Sequence, residues 1–253
     1  MSLHVEQRDG VCELRLAAPP GNIIDRALCV ELTEAVRTHA ADNHVKAFLL
    51  SAEGKHYSYG ASVPEHQAGQ VEEFLPAFHG LFEALMEASV PTIAAVKGLC
   101  FGGAFELAAF ANFCVAARSA TFATPEIRLG VLPPVACVLL PWRVGGARAE
   151  ELILTGRDIT AEEGERWGLV SHLCEDEELD ATVEKLIDEA IRPRSAAVLR
   201  LAVRAARAPL YEAMRVRLPQ LEQAYLGELM ATRDANEGIA AFLEKRTPTW
   251  VDA

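Results

Sequence analysis

Residues 94–130, AAVKGLCFGGAFELAAFANFCVAARSATFATPEIRLG, carry a strand end, a turn and a helix in quick succession, and the rest of the chain is placed around them. The stretch opens on the end of an apolar run, Pro91 to Val96, that predicts a buried strand. Gly98 marks a tight turn, and Gly102-Gly103 then starts an apolar helical segment, Ala104 to Ala111. Glu106, three residues after Gly103, falls on the same face of the first helical turn. Its neighbours are Phe105, Leu107, Ala108, Ala109 and Phe110, and burying a carboxylate among them is costly unless something uses or satisfies it. A second acid, Glu126, follows Pro125 in another largely apolar context.

This arrangement suits proton transfer next to a carbonyl. Backbone N–H groups at a helix start lack intrahelical partners and carry the positive end of the dipole. A glycine at position 103 lets a ligand approach its N–H with no side chain in the way. A thioester oxygen bound there is polarised as enolate charge develops on it, and Glu106, one turn on, can exchange a proton with substrate or water. The same spacing also fits a buried glutamate satisfied by backbone amides, beside a glycine chosen for close packing. Spacing alone leaves both readings open.

Upstream, Leu3 to Gln7 and Val11 to Ala17 are short alternating runs joined at Asp9-Gly10, which predicts a hairpin. Pro19-Pro20-Gly21 ends the second run, a helical apolar period covers Ala27 to Ala40, and Lys46 to Ser51 is the next strand. A loop through Gly60 follows, then a helix from Phe74 to Glu87 that stops before Pro91. Strands and helices alternate to about Val115, which predicts an α/β fold. Helices dominate from Ala147: Thr160-Ala161-Glu162-Glu163 is a capping-box pattern, and Ala196 to Lys245 predicts three further helices.

The chain has 253 residues and is 51% hydrophobic, ample for a core, without an apolar run long enough to span a membrane. MSLHVEQRDG at the N-terminus is too polar for a secretory signal. Cys12, Cys29, Cys100, Cys114, Cys137 and Cys174 are scattered without CxxC spacing, mostly in apolar stretches, and predict buried free thiols in a reducing cytoplasm. A net charge of −12 argues against a general nucleic-acid surface.

GLCFGGAFELA (98–108) followed by FATPEIRLG (122–130) resembles the paired signatures of the crotonase, or enoyl-CoA hydratase/isomerase, superfamily. The resemblance continues at HYSYGAS (56–62), LILTGRDITAEEGERWGLV (152–170) and AFLEKRTPTW (241–250), so it covers essentially the whole chain. More narrowly, PGNIID (20–25), GKHYSYGASVPEH (54–66), PEIRLGVLPP (125–134) and VRAAR (203–207) look like the branch that hydrates cyclohexa-1,5-diene-1-carbonyl-CoA in the anaerobic breakdown of aromatic acids. The resemblance implies a spiral of ββα units over residues 1–195 carrying the thioester site. It implies a helical region over 196–253 that supports a homotrimer or a dimer of trimers and contributes to neighbouring sites. It assigns Glu106 and Glu126 as the catalytic pair, and the N–H groups of Ala61 and Gly103 as an oxyanion hole. Coenzyme A is part of the substrate, and no metal or redox cofactor and no membrane partner is implied.

Other candidates follow by the same route. Asn22, Ile23, Arg26, Lys55, Phe242 and Lys245 are candidates for coenzyme A, and Tyr59, Ser62, His79 and Pro134 for the acyl pocket. An ordinary turn at Gly60-Ala61, core packing for Tyr57 and Tyr59, and a helix end with a solvated Lys245 are the competing readings. His56, His66 and His79 rank below the glutamates. Departures matter too: Ser62 stands where the family usually has Asp, and Pro64-Glu65 where a basic residue is common. Val131-Leu132-Pro133-Pro134-Val135-Ala136-Cys137 replaces a glycine-rich helix start, which implies a differently shaped acyl pocket. Two acids favour hydration, with Glu106 as base toward water and Glu126 as proton donor. A general enoyl-CoA or methylglutaconyl-CoA hydratase, an enoyl-CoA isomerase, and a non-catalytic or RNA-binding relative are the alternatives. The acidic charge and the two intact glutamates count against the last.

Overall fold

A computed structural model describes residues 2–253. The chain opens with β1 (Leu3–Arg8) and β2 (Val11–Leu16), an antiparallel hairpin turning at Asp9 and Gly10, both at positive φ as a two-residue hairpin turn requires. α1 (Arg26–Ala40), capped by Asp25, leads to β3 (Ala47–Ala52), and α2 (Val71–Ala88) to β4 (Thr92–Val96). In α2, Phe74, Phe78, Leu81, Phe82 and Leu85 recur at three- and four-residue intervals and are all buried. β4 is buried along its whole length, as expected of a parallel strand covered on both faces.

The expected strand–turn–helix follows as β5 (Leu99–Phe101) and α3 (Gly103–Phe110). Then come β6 (Phe113–Ala117), β7 (Thr121–Ala123) and a 3₁₀ turn over Pro125–Leu129. Next are α4 (Pro134–Val144), α5 (Gly146–Thr155), β8 (Ile159–Thr160), α6 (Ala161–Arg166), β9 (His172–Cys174) and α7 (Leu179–Leu186). The capping box at Thr160 and Glu163 is formed as the sequence predicts.

Two sheets stack into the spiral. One has six strands in the order β1-β2-β3-β4-β6-β9, parallel beyond the first hairpin; the other is β5-β7-β8, with isolated parallel bridges Ile24–Ala61 and Ser58–Cys100 prolonging it. Each pass places one strand in the large sheet, one in the small layer and then a helix or turn. α3 has all eight residues buried, so it lies inside the core rather than on a face.

The three helices expected between Ala196 and Lys245 are corrected to two. α8 (Ala196–Ala224) runs 29 residues straight through Pro209 and Pro219, widens into a π turn over Tyr225–Leu229, and is followed by α9 (Arg233–Leu243). Val203, Leu210, Tyr211, Met214 and Leu218 of α8 join the same core as α2, α3 and α4, and that packing outweighs the two missing backbone donors. No helix among the described residues is long and apolar enough to cross a membrane. All six cysteines are free; all but the half-buried Cys137 are buried.

Candidate active site

The site lies at the N-terminal end of α3. No side chain caps that end, and Gly102 before it has φ +53°, a left-handed conformation that disfavours any side chain. A Cβ on Gly102 would lie 2.7 Å from Glu126 Oε1, so the carboxylate rests directly against the glycine backbone. A Cβ on Gly103 would meet the Phe78 ring at 3.0 Å and the Ala61 methyl at 3.4 Å. Ala61 and Gly103 therefore face one another across a narrow gap. In the Ile24–Ala61 bridge, Ile24 N donates to Gly60 O and Ser62 N donates to Ile24 O. By strand alternation the N–H of Ala61 points away from Ile24.

Glu106 is 3% exposed, and its Oε1 accepts the Ala136 N–H at 2.7 Å. That amide, with the one from Val135, belongs to the first turn of α4, so Glu106 sits at the positive end of a helix dipole. Pro134 occupies the first helical position, where its missing N–H costs nothing. Burial still wins: Glu106 is pushed up from the ordinary carboxylate value to about 7, with the Ala136 and Val135 amides opposing the shift. The backbone-satisfied reading is thus half right, since the amides hold Glu106 without restoring its normal acidity.

Glu126 sits on the 3₁₀ turn after Thr124, and its Oε2 is buried with no partner. Burial raises its pKa well above the usual range, and the Glu106 charge raises it further. The two carboxyls titrate as a pair. A cavity of about 60 Å³, enough for one or two waters, lies against Ala61, Gly102 and Glu126 and is walled by Val63, His66, Leu129, Val131 and Ile239.

The remaining candidates separate. Tyr59 lines that cavity, 43% exposed, its ring 5.4 Å from that of His56. Ser62 is buried, and its carbonyl accepts from His66 Nδ1 at 2.8 Å. His79 is corrected: it faces the α2–α8 seam, paired at 2.5 Å with Glu222, and Phe78 takes the place beside Gly103. Asn22 is corrected as well. Its Oδ1 accepts from Ala18 N, and its Nδ2 donates to the carbonyls of Glu53, His56 and Tyr57, so the amide braces the loop and has no donor to spare. The Arg26 guanidinium is held at 2.6 Å by Glu73. Ile23, Lys55, Phe242 and Lys245 are exposed, with Phe242 one turn beyond the cavity-lining Ile239.

Sequence reasoning missed two neighbours and ranked a third, His66, below the acids. Cys137 has its thiol pushed up to about 12 by burial and then by both glutamates. Tyr225 is 1% exposed, and its phenol is pushed up by burial, then by Glu126 and Glu106. His66 lines the cavity although it ranked below the acids.

The enoyl-CoA hydratase/isomerase family model matches residues 6–253. The chain belongs to that family. Among curated members it is 46% identical over 245 residues to the cyclohexa-1,5-dienecarbonyl-CoA hydratase of Thauera aromatica, covering 96% of this chain and 94% of that one. It is 34% identical over 257 residues to the carnitinyl-CoA dehydratase of Salmonella typhi, covering 98% of each. An enoyl-CoA hydratase from Mycobacterium avium subsp. paratuberculosis K-10 superposes with a TM-score of 0.90 at 25% identity, over 100% of this chain and 99% of that one. An enoyl-CoA hydratase/isomerase from Pseudoalteromonas atlantica T6c gives 0.88 at 27% identity, over 99% and 100%. The spiral with its C-terminal helices is the family fold.

Proposed function

We propose that this hydro-lyase adds water to a cyclic conjugated dienoyl thioester, cyclohexa-1,5-diene-1-carbonyl-CoA, to give 6-hydroxycyclohex-1-ene-1-carbonyl-CoA. The observation that carries the chemistry is the pair of buried carboxyl groups, Glu106 and Glu126, with raised proton affinity beside the uncapped start of α3. The similarity to the Thauera hydratase supports the choice of ring substrate.

The thioester oxygen sits between the N–H groups of Gly103 and Ala61, which stabilise charge developing on it. Glu106 in its ionised form takes a proton from water as the water oxygen bonds to the ring carbon β to the carbonyl. The electron pair moves into a dienolate spread over the thioester oxygen, the α carbon and the far end of the second double bond. Glu126, its proton affinity raised by burial and by the Glu106 charge, protonates that far carbon and leaves a double bond conjugated to the carbonyl. Protons exchanged with solvent restore the pair. Coenzyme A belongs to the substrate, and no metal or redox cofactor takes part.

The exposed Ile23, Lys55, Phe242 and Lys245 are proposed contacts for its adenine and phosphates. The enzyme is further proposed to act in the cytoplasm as a homotrimer or dimer of trimers, with 1–195 carrying the site and 196–253 the subunit contacts. Exposed Val198, Leu201 and Val216 on α8 support the last point.

A panel of acyl-CoA thioesters, cyclic diene against crotonyl, with product mass spectrometry tests the reading. Preferential hydration of the diene is expected. Preference for crotonyl-CoA would leave a general enoyl-CoA hydratase, and double-bond movement without water uptake an isomerase.

A further inference from the structure

Tyr225 opens the π turn at the end of α8, and such turns often accompany functional sites. Its hydroxyl is buried with no hydrogen-bond partner. A buried donor left without a partner is destabilising, a penalty that Phe at the same position would avoid. The surroundings are those of the site. Tyr225 packs in one cluster with Val131 and Ile239, both walls of the cavity, and its ring meets that of the cavity-lining His66 edge-on at 6.5 Å.

Another unpartnered buried atom, Glu126 Oε2, belongs to a residue that lines the cavity. The phenol feels both carboxyl groups, Glu126 more than Glu106, and its raised pKa keeps it a neutral O–H donor. Tyr57 provides the contrast. Its hydroxyl is also buried and unpartnered, but the groups acting on it are Cys100 and Cys114, not the acids. Tyr225 differs from Tyr57 in its neighbours as well, since it packs in one cluster with the cavity walls Val131 and Ile239 and beside the His66 ring.

We infer that the Tyr225 hydroxyl orients the water that is added, and in the reverse direction the departing hydroxide, between Glu106 and Glu126. The inference rests on the hydratase reading above. The Tyr225 O–H donates to one lone pair of the water oxygen, one water hydrogen points at the Glu106 carboxylate, and the other lone pair is left for the β carbon. No bond to Tyr225 forms or breaks. The proton that leaves water goes to Glu106, and the one delivered to carbon comes from Glu126. A water held by Tyr225 and Glu106 has the minimum of two polar partners that an ordered buried water needs.

The test is Tyr225→Phe in the full chain, assayed for hydration of the cyclic dienoyl-CoA and of crotonyl-CoA, with melting temperature followed in parallel. Expected is a loss in kcat of about 10- to 100-fold with KM changed by less than about threefold, and a melting temperature equal to or above wild type. Incorporation of 3-fluorotyrosine at position 225 retains the hydroxyl and should retain turnover, which separates loss of the group from a packing defect should the Phe variant misfold. A kcat within about twofold of wild type in a folded Phe variant would overturn the inference, as would a rise in KM alone or loss of turnover in the fluorotyrosine enzyme. If wild type prefers crotonyl-CoA, the substrate reading fails, while the Phe-to-wild-type ratio on crotonyl-CoA still decides the role of Tyr225. If wild type hydrates neither, both fall.

Discussion

The two ends of α3 are built on opposite principles. At the C-terminal end, Arg207 of α8 is 9% exposed and donates to the carbonyls of Phe110 and Ala111, the latter at 2.8 Å. Its guanidinium lies 5.3 Å from the Phe110 ring centroid, and the Phe110 and Tyr211 rings stack 6.1 Å apart. The helix's last carbonyls thus have a cation where the dipole favours one. At the N-terminal end there is a glycine, no cap, a carboxyl oxygen without a partner, and two acids whose proton affinities are raised. One end is saturated and holds the fold. The other keeps its polar groups free at a cost in stability, which substrate binding can recover.

The largest expected effect is at the free end. Glu106→Gln and Glu126→Gln should each lower turnover by roughly 10²–10⁴-fold while folding and ligand binding persist, as read by steady-state kinetics beside circular dichroism. Near-wild-type turnover in either variant would remove the two-acid mechanism.

The second effect is a pH dependence of stability. Glu106 holds its proton more tightly folded, at about 7 against 4.5, than unfolded. A raised acid contributes stability that is whole below the unfolded value and is lost as pH rises through the folded one. Wild type should therefore lose stability between about pH 4.5 and 7, by roughly 3 kcal/mol from this group at most. Glu106→Gln should flatten that slope in urea titrations at pH 5 and 8; an unchanged slope would contradict the burial argument.

At the saturated end the prediction reverses. Arg207→Leu leaves two helix carbonyls unpaired and should destabilise by about 2–3 kcal/mol, with kcat per folded molecule unchanged. A folded Arg207→Leu enzyme with lost turnover would show that the two ends are not separable. Smallest of all, Lys55→Ala and Lys245→Ala should raise KM for the thioester by about two- to fivefold without touching kcat, because each is an exposed charge in high dielectric.

The free end was the legible one. Gly102-Gly103, Glu106 and Glu126 lie within 25 residues of one another, and local spacing speaks directly about a helix start and its first turn. The saturated end was not legible, since Arg207 reaches Phe110 across 97 positions. Tyr225 escaped for the same reason, and because a tyrosine in a helical run reads as core. Asn22 was misassigned because its four hydrogen bonds run to a loop more than thirty residues away and to Ala18. His79 was misassigned because one step along α2 turns a side chain by about 100°, which exchanges the site face for the α8 seam. The continuous α8 was hidden by Pro209 and Pro219, whose local tendency to break a helix is overruled by tertiary packing.

The most direct measurement is hydration of cyclohexa-1,5-diene-1-carbonyl-CoA in D₂O followed by NMR of the product. The proposed mechanism, with the Ala61 and Gly103 amides holding the thioester oxygen and Glu106 and Glu126 moving the protons, predicts 6-hydroxycyclohex-1-ene-1-carbonyl-CoA with deuterium on the ring carbon across from the hydroxylated one. Deuterium on the α carbon, or no turnover of the ring beside brisk hydration of crotonyl-CoA, would contradict it.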